Sequence, residues 1–205
     1  MTRPFRLAGI IAGLVLIGFG AGAIVIGLQG RSEVNSSIQR EHIVGSDDMN
    51  PALIAVAAKE AGLDVALPTC DVAGKAISSG ADAKCFAAYM RIHALEGTGG
   101  QTYSQMPQYA SADGRGTADK AAALKDRATG QPQSNPARQV WISETALSTA
   151  MNTSFFASSV ATFAIVMGLA LLLTGAGFIV LCAGLLGRAA GRRRTGAAGV
   201  KPIVA

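Results

Sequence analysis

The sequence predicts an all-α membrane protein: two antiparallel transmembrane helices extended as stalks into a small helical, disulfide-tied extracytoplasmic domain. Three observations carry this expectation. The chain is uncharged from Thr145 to Gly187, and the core of that run, ATFAIVMGLALLLTGAGFIVLCAGLL, is almost wholly apolar. A bilayer core of roughly 30 Å needs about 20 apolar residues in a helix, so the run suffices to span it. A second apolar run extends from Leu7 to Leu28. The charges are sorted: Arg3, Arg6, Arg188, Arg192, Arg193, Arg194 and Lys201 lie at the ends, while every Asp and Glu falls between Glu33 and Glu144. Cytoplasmic flanks are enriched in Lys and Arg, so both termini are expected in the cytoplasm and the middle outside the plasma membrane.

The expected segments are a cytoplasmic N-terminus (1–6), a first span (7–28), an extracytoplasmic region (29–157), a second span (158–186) and a basic cytoplasmic tail (187–205). The first run also carries Ala21, Gly22 and Ala23, which resemble a signal-peptide cleavage site. Ile24 to Leu28 continue the apolar run past it, which favours a retained anchor. Gly13, Gly20 and Gly27 recur every seven residues, as do Ala161, Gly168, Gly175 and Cys182 in the second run. A straight helix drifts only about 20° per heptad, so each set lines one face. Small side chains let helix backbones approach closely in lipid, and the two stripes are expected to face each other. Ordinary use of glycine in membrane helices is the alternative.

Beyond Leu28, Val34, Ile38 and His42 fall at helical spacing, so a stalk is expected to continue to about Gly45. Asn50 before Pro51 reads as an N-cap opening a short helix that stops at Gly62, with Leu53, Val56 and Ala57 on its packing side. Asp82 to Leu95 is a second amphipathic segment, with Phe86, Tyr89, Met90 and His93 on one face, closed by Gly97. From about 101 to 138 the chain is rich in Gly, Ser, Gln, Pro and Ala, which reads as a flexible loop with a short helix near Asp119 to Arg127. From Val140 the helical pattern resumes, and Leu147, Met151 and Phe155 form a stripe suited to Val34 and Ile38, with Trp141 and Val140 capping that core.

Cys70 and Cys85 form an even pair in the middle region. In an oxidising compartment they can form a disulfide; free thiols and a metal site are the alternatives. Metal chemistry lacks ligands, because His42 and His93 are the only histidines and neither belongs to an HExxH or a close ligand pair. No GxSxG elbow is present, and GTGGQTYS lacks the lysine of a phosphate loop. Asn35 and Asn152 head weak glycosylation sequons. The spans hold no ionisable side chain except Cys182, which disfavours a proton or ion pathway. Few aromatic residues and a slightly acidic middle disfavour nucleic acid as a partner, despite the net charge of +5. Arg188 and Arg192 to Arg194 would lie at the cytoplasmic interface, where anionic lipid attracts basic residues.

The stretches REHIVGSDDMNP, HALEGTGGQTYSQM and WISETALSTAMNTSFFASSVATFAIVMGLALLLTGAGF give the chain a layout that resembles a family of small two-span membrane proteins of actinobacteria. Some members carry the label of aromatic ring-opening dioxygenase. The resemblance covers less than half the chain and implies a membrane location. It includes no catalytic motif, and the ligand inventory above gives the dioxygenase label no support. The expectation is therefore a non-enzymatic accessory or scaffold protein of the cell envelope. It would need no cofactor, and its partners would be the lipid bilayer and other membrane proteins or further copies of itself. A ligand-binding or sensing ectodomain is the alternative.

Overall fold

The computed structural model describes residues 3–185. Its helices are α1 (Arg3–Arg40), α2 (Pro51–Glu60), α3 (Gly80–Gly97) and α4 (Pro136–Val180), and a π-helical segment, Leu181–Leu185, follows α4. No strand longer than an isolated bridge occurs among the described residues. Two of the helices, α1 and α4, are long and apolar enough to cross a membrane. Their most apolar windows have a mean hydropathy of 2.5 and are only 11% buried, unlike the core helix of a soluble protein. Phe19 is 71% exposed and Leu173 75%.

Contacts divide the chain into two compact units. One comprises the described residues up to Arg31 and from Val160 onward, and the other is Ser32–Ser159. In the first, α1 and α4 meet through small residues. Arg6 Nη2 also donates to the Ala183 carbonyl at 3.2 Å.

The core of the second unit gathers Ile38, Ile54, Ala58, Val72, Ile77, Phe86, Tyr89, Ile92 and Met151, with Val34 and Leu147 packed against it. Burying such side chains contributes about 1.5–3 kcal/mol for each large one. Asn50 caps α2, its Oδ1 accepting from the Ala52 and Leu53 amides at 3.1 and 2.9 Å. Ser79 caps α3 by accepting from the Asp82 amide and donates to Asp82 Oδ2 at 2.7 Å, which satisfies groups a helix start leaves open. The Cys70–Cys85 disulfide is formed, with Cα atoms 6.1 Å apart, and ties α3 to the preceding loop. The Tyr89 hydroxyl, on a side chain with no exposed surface, donates to the Cys70 carbonyl beside it.

Several local expectations are corrected. The first stalk ends at Arg40 and not near Gly45, because His42 takes the left-handed conformation (φ 50°) that usually falls to glycine or asparagine. Gly45 instead lets two backbones touch: a side chain there would collide with the Val72 carbonyl, and Gly45 donates to Lys75 O at 3.0 Å. On α2, Ile54 and Ala58 are buried while Leu53 and Val56 are exposed. That helix is apolar on both sides, so spacing alone does not choose the buried face.

No helix forms near Asp119 to Arg127. Asp119 and Asp126 accept from backbone amides two or three residues ahead, which competes with helix formation. The 101–135 segment is instead cross-braced, with Tyr109 paired to both Thr117 and Ser134, and Lys125 to Pro132. Helix α4 begins at Pro136, earlier than Val140, after Asn135, whose Oδ1 accepts from the Ala137 amide at 3.0 Å. Trp141 does not cap the main core but joins a separate cluster with Ala94, Leu95 and Met106. Its indole Nε1 donates to Gln101 O at 2.8 Å.

Candidate functional site

Two places merit a functional reading: the contact of α1 with α4 in the first unit, and the seam between α3 and the start of α4 in the second. At the first, a side-chain carbon added to Gly13 would lie 2.7 Å from Gly175 O, one on Gly20 2.7 Å from Gly168 O, and one on Gly27 2.7 Å from Ala161 O. The converse additions at Gly168 and Gly175 would lie 2.6 and 2.5 Å from the carbonyls of Gly20 and Gly13. The pairs advance on α1 as they retreat on α4. All six residues are buried, and Cys182, half-buried, presses its sulfur on Gly9. Backbone lies directly on backbone here, an approach that a Cβ on any of the five glycines would block. Arg188, Arg192, Arg193 and Arg194 lie outside the described residues.

The second place is built on Gly80. A Cβ there would sit 2.7 Å from Ser158 Cβ and 3.1 Å from Phe155 Cα, so α3 starts in close contact with α4. Farther along, the seam opens on both sides of Glu144, which is only 5% exposed. Its Oε1 accepts from the Ser148 hydroxyl at 2.7 Å and its Oε2 from Thr145 at 3.3 Å, bonds that offset the cost of burying a carboxylate.

On one side of Glu144 lies a largely apolar cleft of about 600 Å³, walled by Met90, Ala94, Val140 and Leu147, with His93 at its edge. His93 Nε2 stands 3.0 Å from Asp48 Oδ2. The Ser46 hydroxyl bond holds the Asp48 carboxyl below its ordinary value; burial opposes this, and His93 adds to it.

On the other side is a polar groove of about 380 Å³. Its α3 wall carries Lys84 and Arg91 around a floor of Ala87 and Ala88, and its α4 wall carries Ser148, Thr149 and Asn152. Lys84 Nζ is held 4.4 Å from the Phe155 ring centroid and the Arg91 guanidinium 5.4 Å from that of Trp141. Neither cation forms an ion pair among the described residues.

Nothing in the sequence singles out this groove, and Glu144 there only borders the uncharged run that starts at Thr145. A faint signal existed, since Lys84, Ala87, Ala88 and Arg91 follow i, i+3, i+4, i+7, as do Thr145, Ser148, Thr149 and Asn152. Among the described residues no group of three or more His, Cys, Asp or Glu could hold a metal. Comparison with protein-family models, curated proteins and solved structures finds no match.

Proposed function

We propose that this chain is an integral two-span protein of the plasma membrane, with both termini cytoplasmic, that acts without catalysis as an accessory or scaffold subunit of a larger envelope assembly. The observation that carries the reading is the pair of exposed apolar helices joined glycine to backbone. Such surfaces suit lipid as solvent, where close backbone contact replaces the hydrophobic force that packs helices in water. The disulfide supports an extracytoplasmic placement of Ser32–Ser159, since such bonds persist in oxidising compartments. The basic residues at both ends support the same orientation. The family resemblance belongs with this reading and supplies no activity.

The test is purification of the full chain in mild detergent after crosslinking in cells. Reproducible membrane-protein partners are expected; recovery of the chain alone refutes the accessory role. A second reading, a ligand-binding ectodomain, is favoured by the apolar cleft beside Glu144, whose volume falls in the range of small-molecule sites.

A further inference from the structure

We propose that the polar groove between α3 and α4 binds the headgroup of an anionic glycerophospholipid. The phosphate lies at the Lys84 and Asn152 end, and the headgroup hydroxyls lie at the end formed by Arg91 and Glu144. This rests on the membrane reading above.

The charge arrangement selects the chemistry. Two cations and one buried carboxylate line the groove, and the carboxylate stands with Arg91 rather than with Lys84, because Glu144 and Trp141 share a turn of α4 and Arg91 lies over Trp141. The Lys84 end therefore offers a positive charge with the Thr149 hydroxyl and Asn152 amide as donors, which is what a phosphate oxygen accepts from. The Arg91 end offers an acceptor and a donor side by side, which is what a hydroxyl needs. Aromatic contacts already hold both cations in place, so less side-chain freedom is lost on binding. Ala87 and Ala88 keep the floor low enough for a ligand to enter.

The order along the chain supplies the orientation. Asn152 precedes by only six residues the start of the apolar stretch at Ser158, whereas Glu144 precedes it by fourteen. The phosphate end of the groove is thus the end nearer that stretch along α4, the order a membrane lipid would need. Free glycerol phosphate shares the recognised chemistry, so the experiment separates the two sources.

Full-length protein in dodecyl maltoside is titrated calorimetrically with dihexanoylphosphatidylglycerol, dihexanoylphosphatidylcholine and glycerol 3-phosphate. The same titrations are run on Lys84→Gln, which removes the charge, and on Ala88→Phe, which fills the groove at an exposed position. The expected result is binding of the phosphatidylglycerol that weakens about tenfold or more in each variant, the loss expected for one charge-assisted bond. Phosphatidylcholine is expected to bind at least about tenfold more weakly, because its headgroup has no hydroxyl for Glu144. Unchanged affinity in both variants, or equal affinity for both lipids, overturns the proposal. Glycerol 3-phosphate binding as tightly as the lipid overturns the lipid as the source. Failure of the membrane reading shows separately, as release of the chain from membranes by alkaline carbonate without detergent.

Discussion

Alanine at Gly20 should destabilise the protein while alanine at Gly22, two residues away on the same helix, should not. A Cβ on Gly20 would lie 2.7 Å from Gly168 O and 3.0 Å from Leu172 N, short of the 3.4 Å at which ordinary contact begins; nothing lies within 4 Å of the same atom on Gly22. The obstructing atoms are backbone, so no rotamer change relieves the clash, and the helices must part by about 0.7 Å at a point where their neighbours at Gly13 and Gly27 hold them equally close. Overpacking of this kind costs about 1–3 kcal/mol. Replacing a helical glycine with alanine returns up to about 1 kcal/mol through propensity, but both variants share that gain. The difference between them therefore isolates the packing contribution, with Gly20→Ala less stable by about 1–3 kcal/mol. Thermal melting of the full chain in detergent, followed by circular dichroism, measures it. Equal melting of the two variants would refute the reasoning, because it would mean that the stripe does not set the helix separation. Gly168→Leu extends the test, with loss of folded yield expected.

Replacing Cys70 and Cys85 together by serine should cost about 3 kcal/mol for a loop of this length, read as a lower melting temperature of the Ser32–Ser159 unit and matched by reduction of the wild type. Trp141→Phe removes the indole bond to Gln101 O, which keeps the Thr98 hydroxyl as a donor at 2.7 Å, and should therefore cost only about 0.5–1.5 kcal/mol by denaturant titration. Stability should also fall in acid. Asp48, Asp113 and Asp126 have carboxyls held below the ordinary 3.8, chiefly by bonds from Ser46, from Ser111 and from the Thr129 backbone. A lowered folded value means that the stabilisation is present above 3.8 and is lost as pH falls through the folded values. Melting measured across that range should therefore decline on the acid side, and Asp48→Asn should flatten the slope.

Periodicity and charge placement determined the all-helical class, the two long apolar helices and the seven-residue stripes, because these are properties of a helix considered alone. Asn50 and Pro51 likewise act within a few residues, and the α2 start was legible from them. The pairing of Cys70 with Cys85 was open to alternatives in sequence and is decided by the fold that carries them.

What only the tertiary structure decided depends on partners distant in the chain. Ile54 rather than Leu53 is buried because α3 and the Val72 segment approach from that side, and nothing within α2 encodes their direction. His42 ends α1 at a residue that no glycine rule would select. The polar groove needs Lys84 and Arg91 brought opposite Ser148 and Asn152 and pinned on Phe155 and Trp141, residues fifty or more positions apart. Local chemistry specifies elements, whereas a site made of two elements comes into being only when packing fixes their rotation and separation, and here Gly80 sets that separation by letting α3 touch α4 at one end and open toward the other.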